Sequence, residues 1–282
     1  GHAQHMTTHI FLALGMWDEV ARQNVVAMQA ATGNSDSLSW APGHYTWWLH
    51  YARLQQGKWR DAQAWVRAQS ARIGTDAPLP RQRFLQRLRD EYQVTVQYFD
   101  QIPEHLLTEA MAGPTTVLAR GLAAWQSRNG LVLAQEARAL RELADREVAG
   151  EVARLLAPQL EALLLELGGR PDSATALLEA TPAFEATLPM DFGPPAVVRP
   201  AHEALAELLL VTGRHTEAQA AFSRALLRTP GRSRTLAGLV LAGRAGGDTA
   251  AAERALRQLR ENLHDGDAGA IDVLFVSFDR RR

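Results

Sequence analysis

Histidine is the residue type in this chain whose placement most invites chemistry. Three of the nine, His2, His5 and His9, stand at spacings of three, four and seven, which on a helix sets them on one face. His44 and His50 follow further on. Neutral imidazoles bind zinc, copper, nickel or iron, and two on adjacent helical turns can share one ion. His2, His5 and His9 are therefore the candidate metal ligands, with a transition metal such as zinc as the group they would hold. No carboxylate completes the set on that stretch, since Asp18 and Glu19 lie beyond Gly15. The same imidazoles can instead hydrogen-bond a peptide or a neighbouring helix. His264-Asp265-Gly266-Asp267 offers oxygen ligands for a cation, and reads equally as a plain turn.

Trp40, Tyr45, Trp47, Trp48, Tyr51, Trp59 and Trp65 crowd into 26 residues. Most of them suit core filling. Leu188 to Pro195, with Met190, Asp191, Phe192 and Gly193, is too apolar for a free linker, and its prolines stiffen it. It either packs on a hairpin or folds over a binding surface as a lid formed by Met190, Asp191 and Phe192.

Other chemistry is absent from the sequence. There is no cysteine, hence no disulfide, thiolate metal site or thiol nucleophile. No Gly-x-Ser-x-Gly, phosphate loop, His-Glu-x-x-His or dinucleotide glycine fingerprint occurs, which points away from an enzyme acting alone. A net charge of −1 exerts no pull on nucleic acid or an anionic membrane, and no apolar run reaches the ~18 residues that a span requires. Gly1 to Met6 has neither the basic nor the apolar region of a signal peptide. The cytoplasm is the expected compartment, with the periplasm also open to a Cys-free chain.

The elements that must position these residues are helices. Ala, Leu, Arg, Glu and Gln dominate, and apolar residues recur at spacings of three and four. Strand-like alternation is nearly absent, with Val273 to Phe278 its only candidate. Glycines mark element ends, and the pattern repeats. After Gly213 come His215, Ala218, Phe222, Ala225 and Pro230, with Leu205 and Ala206 before it. Gly247 with Ala252 follows 34 residues later. Gly15-Met16-Trp17 and Gly57-Lys58-Trp59 share the turn, Gly169 and Gly130 more weakly. The excess lengths at Gly33 to Pro42 and Thr181 to Pro200 read as inserted loops. Between Ala77 and Pro114 a long helix, Pro80 to Phe99, and a short one, Glu104 to Ala112, are expected. The best boundary falls near Gly74 to Pro80, giving 1–76 and 77–282, or one continuous unit.

The unit around Gly213 resembles the tetratricopeptide repeat (TPR), with His215 where an aromatic residue is usual. The segment His2 to Phe11, with Leu14 to Glu19, is similar to a bacterial TPR group carrying a His-x-x-His-Met-x-x-His-Ile-Phe helix and a Phe-Gly-Pro-Pro loop like the one at Phe192. In that group further hairpins precede this helix, which would make the present chain the C-terminal part of a longer one. The resemblance implies an all-α, right-handed solenoid of about 12–15 helices in antiparallel hairpins. It also implies a concave groove lined by positions thirteen, ten and six residues before each turn glycine. From Gly15 these are His2, His5 and His9; from Gly57 they are His44, Trp47 and Tyr51; from Gly213 they are Pro200, Glu203 and Glu207. The expected function is a binding scaffold whose groove takes a protein or peptide segment at His2, His5, His9, His44, Trp47, Tyr51, Glu203 and Glu207. Two alternatives stand beside it: a metal-binding or metal-dependent enzymatic protein using the histidine face, and a structural part of a larger assembly with a self-filled groove.

Overall fold

The computed structural model describes residues 2–73, 77–97, 112–146, 150–190 and 193–279, and of residues 2–4 only their place in a helix. Fifteen α-helices and one 3-10 turn form the described residues, with no strand among them. In chain order they are α1 (His2–Ala13), α2 (Trp17–Thr32), α3 (His44–Gln55), α4 (Trp59–Ile73), α5 (Leu79–Val96), α6 (Pro114–Gln126), α7 (Gly130–Ala144) and α8 (Gly150–Leu167). Then come α9 (Pro171–Glu179), α10 (Thr181–Thr187), α11 (Ala201–Val211), α12 (His215–Arg228), α13 (Ser233–Gly246), α14 (Thr249–Asn262) and α15 (Ala270–Asp279). Consecutive helices pack on each other, as an all-α solenoid requires. No described helix is long and apolar enough to cross a membrane.

One turn geometry recurs. Met16, Lys58, Asn129, Arg170 and Arg214 each donate their backbone N–H to the carbonyl five residues back, on Phe11, Arg53, Ala124, Leu165 and Leu209, at 2.8–2.9 Å. This is the long bond of a Schellman cap, and it needs a left-handed residue immediately before the donor. Gly15, Gly57, Gly169 and Gly213 supply it at φ of 69°, 69°, 73° and 79°. In the α6–α7 hairpin Arg128 takes that place at φ 55°, against the preference of a residue with a Cβ. The turn there is centred on Arg128, two residues before Gly130, which begins the next helix.

Three expectations change. Val273 to Phe278 lies in helix α15, because its buried members Leu274, Ser277 and Phe278 follow a period of three and four, while Val276 is exposed. The Thr181 to Pro200 insertion is not all loop, since the short helix α10 begins at Thr181 with Pro182 in its first turn. The long helix after Pro80 ends at Val96, where Gln97 turns left-handed at φ 50°. The short helix expected at Glu104 to Ala112 falls almost wholly outside the described residues.

The two ends of the chain meet. Trp17 Nε1 donates to the Gly231 carbonyl at 2.8 Å, and Ser233 N donates to Gln55 Oε1 at 3.0 Å. Asp267 N donates to the Gly57 carbonyl at 2.9 Å, and Arg60 N to Asp267 Oδ2 at 2.8 Å. The His264 to Asp267 turn thus docks one end on the other. Gly15 has to be glycine twice over: its φ is positive, and a Cβ there would meet the Pro230 oxygen at 2.6 Å. One apolar cluster joins Leu54, Trp59 and Ala62 to buried residues of α11 to α15.

Candidate functional site

The histidine face is the first part. Asn24 of α2 donates its amide to the Val20 carbonyl at 2.8 Å, which turns Oδ1 toward His5. His5 Nδ1, at 3.0 Å, must therefore carry the proton and donate, leaving Nε2 as acceptor. His44 Nε2 lies 2.7 Å from it and donates. Thr8 adds a hydroxyl 3.3 Å from His5 Nδ1. His9 and Trp48 pack ring edges around the pair, at centroid distances of 5.2 Å and 4.8 Å from His5. The structure brings His5, His9 and His44 together but gives them a polar chain running α2–α1–α3.

The His5–His44 pair is spaced as a hydrogen bond and not as two ligands of one zinc. Two imidazole nitrogens sharing a tetrahedral zinc sit roughly 3.3 Å apart, wider than the 2.7 Å of His5 and His44. Both ring nitrogens of His5 are engaged by protein groups. Among the described residues no group of three or more His, Cys, Asp or Glu side chains could hold a metal ion. The His2 side chain lies outside the described residues.

His50, six residues after His44 on α3, is buried. Its Nε2 donates to the Leu88 carbonyl at 2.9 Å, and burial pushes it down to about 4, so it is neutral at ordinary pH. Trp47 Nε1 donates to Glu91 at 3.0 Å, and the Arg87 guanidinium covers its ring at 4.0 Å. Trp48, Trp59 and Trp65 are core residues.

The groove positions of the C-terminal half form a second assembly. Glu203 and Glu207 are buried and paired inside the chain. Arg232 Nε donates to Glu203 Oε2 at 2.7 Å, and Thr235 Oγ1 donates to the same oxygen. Arg199 Nη2 and Arg234 Nε reach the two oxygens of Glu207, each at 2.6 Å. Tyr51, also buried, meets Arg232 Nη1 at 3.5 Å. Burial opposes the Arg232 charge, but Glu203 and Tyr51 outweigh it and hold the guanidinium above its usual value. Burial also raises the Tyr51 phenol. Sequence reasoning missed Arg199, Arg232 and Arg234. A signal for one was present, since thirteen residues before Gly247 is Arg234.

The third part is open to solvent. A pocket of about 150 Å³ lies where α1, α3, the Leu188 to Pro200 segment and the end of α12 converge. His9, Trp17, Tyr51, Met190, Gly193 and Leu227 are among the residues that line it. Glu185 and Arg228 are its charged lining residues. Glu185 accepts from Ala201 N at 3.0 Å, and Arg228 Nε stands 3.6 Å away. Burial raises the Glu185 carboxyl, against the Ala201 N–H and the Arg228 charge. Met190, of the expected lid, borders this pocket with its side chain exposed. Asp191 and Phe192 lie outside the described residues. The segment is anchored beyond them, with Val197, Val198 and Arg199 all buried.

No protein-family model, curated protein or solved structure matches the chain.

Proposed function

We propose that the chain is a TPR-like binding scaffold that captures a protein or peptide segment by taking one apolar side chain into the pocket beside Trp17 and Tyr51. The TPR reading is supported by the Gly213 unit, where Ala218, Phe222 and Ala225 are buried at the consensus spacing. It is supported too by the turn that five hairpins share. The binding reading rests on one observation. The positions counted as groove-facing in the C-terminal half are covered by the chain's own arginines, while the pocket is open and its rim is apolar, with Met190 and Leu227 exposed. A space of about 150 Å³ accepts one benzene-sized group, hence a leucine or phenylalanine side chain. Apolar anchors seated in such pockets carry most of the energy in protein recognition.

Toluene is a sufficient probe. In an NMR titration it shifts the Trp17 indole N–H resonance of the wild type and leaves Ala13→Trp, whose new ring fills the pocket beside that α1 residue, unchanged. A wild-type spectrum indifferent to toluene would remove the proposal.

A further inference from the structure

One carboxylate oxygen of the pocket is left over. Exposure orders the lining: Met190 and Leu227 are 57% and 80% exposed, while Trp17, Tyr51 and Glu185 are 4% exposed or less. The apolar pair therefore forms the mouth, and the Glu185 carboxylate lies at the inner end. Its two oxygens are not used alike. Oε2 accepts from Ala201 N at 3.0 Å. Oε1 faces the Arg228 guanidinium, whose Nε stands 3.6 Å away, too far for a hydrogen bond. Arg228 is held in that place, since its Nη2 reaches the Leu188 and Pro189 carbonyls at 3.4 Å each. Two other donors of the lining are spent: Trp17 Nε1 on the Gly231 carbonyl at 2.8 Å, and Thr229 Oγ1 on that of Ala225 at 3.1 Å. Among the described residues, then, none donates a hydrogen bond to Oε1, which borders an apolar space. An acceptor so placed gains from a donor that a ligand brings.

We infer that the side chain taken into the pocket is a tyrosine of the captured segment, its ring among Trp17, Tyr51 and Met190 and its phenol O–H donating to Glu185 Oε1. The inference rests on the binding reading above and narrows the residue that the pocket admits. Three features select tyrosine. The space of about 150 Å³ accepts a benzene-sized ring. The acceptor lies beyond an apolar mouth, so the donor has to sit at the far tip of the entering side chain, where tyrosine carries its hydroxyl. The charges of Glu185 and Arg228 offset each other, so a lysine, an arginine or a carboxylate would meet a like charge there. A leucine or phenylalanine would seal Oε1 from water with no donor, a cost that the hydroxyl removes. Sites with a buried polar group awaiting its partner discriminate strongly against the analogue that lacks it. Glu185 is on this account the residue that sets specificity.

Ring analogues test this by NMR titration, read at the Trp17 indole N–H. The probes are toluene, 4-methylphenol and 4-fluorotoluene, the last close to the phenol in size but without its proton. A merely apolar cavity prefers toluene and 4-fluorotoluene, because a hydroxyl buried without a partner costs free energy. The wild type should reverse that order and bind 4-methylphenol at least about tenfold more tightly than either, as a hydrogen bond to a charged acceptor provides. In Glu185→Gln the amide oxygen keeps Ala201 N and the amide nitrogen turns to the pocket, so the preference should fall to about twofold or less. Equal or weaker binding of 4-methylphenol by the wild type overturns the inference, and so does a preference that survives in Glu185→Gln. The comparison of ligands needs no variant and decides the matter where Glu185→Gln fails to fold. The two readings fail separately. A toluene response with no preference for the phenol discards the tyrosine and keeps the pocket; no response to any of the three discards both.

Discussion

Replacing Asp90 by asparagine should stabilise the protein, and should do so more at pH 8 than at pH 5. Asp90 is buried in α5, accepting from Gln86 Nε2 and from Thr116 Oγ1, both at 2.6 Å. Burial raises its carboxyl, against the Thr116 hydroxyl, the Arg89 charge and the Gln86 amide, to about 7 from an ordinary 3.8. A folded-state pKa above the unfolded one means that the folded state binds the proton more tightly. This group therefore lowers stability at high pH, and the loss is recovered as pH falls from 7 toward 4. At pH 8 the full difference of about three units is exacted, or roughly 4 kcal/mol; at pH 5 only the unit or so above 3.8 remains, roughly 1.5 kcal/mol. Asparagine carries no charge, and its partners are at hand. Among the described residues the buried Gln86 Oε1 has no hydrogen-bond partner, so a flipped Gln86 amide can accept from the new amide while Thr116 still donates to its oxygen. Urea unfolding of both proteins at pH 8 and pH 5 reads the difference directly. The advantage of Asp90→Asn should shrink by about 2–3 kcal/mol on acidification. A gap that does not change with pH, or a variant less stable at pH 8, would refute the reasoning.

Two further substitutions test other parts of the fold. Arg128→Gly relieves a left-handed residue with a Cβ and should raise stability by about 0.5–1 kcal/mol after the added freedom of the unfolded chain is subtracted; an unchanged or lower melting temperature contradicts the shared-turn account. Glu203→Gln leaves the Arg232 guanidinium buried without its carboxylate and should cost about 3–5 kcal/mol; denaturant melts indistinguishable from wild type would show that the pair is not what holds that interior.

The class of fold was legible because a repeat states its rule several times. Gly15, Gly57, Gly169 and Gly213 all mark real turns, and Ala218, Phe222 and Ala225 occupy the buried side that their spacing foretells. The turn at Arg128 was hard to place because arginine has no business in a left-handed position, and Gly130 two residues later drew the eye. The site was less legible. Counting from Gly15 and Gly57 did gather His5, His9 and His44, but sequence spacing says nothing of Asn24, whose amide decides which nitrogen of His5 holds the proton. Glu203 and Glu207 look like a solvent-facing acidic surface until Arg199, Arg232 and Arg234 are placed against them. The partners of α13 lie far enough along the chain that no local pattern joins them to α11. The pocket gathers His9, Tyr51 and Met190, each singled out by the sequence, but their meeting with Leu227 and Arg228 joins stretches that no local pattern connects.

The meeting of Trp17 with Gly231, and of Gly57 with Asp267, alters how the molecule can come apart and form. An open array of repeats contacts only its neighbours, so its ends fray and its stability grows roughly in proportion to repeat number. Contacts between α1 to α4 and α13 to α15 oppose the separate fraying of either group. They also tie together residues some 200 apart in sequence, as the Trp17–Gly231 bond does across 214 positions. Contacts at that range slow folding, since their loop must close before they return any energy. During synthesis α1 to α4 emerge with their docking surface for α13 to α15 bare, and it stays so until those helices have been made. Hydrogen exchange should then find α1 to α4 protected in concert with α13 to α15, as one cooperative block drawn from the two ends of the sequence.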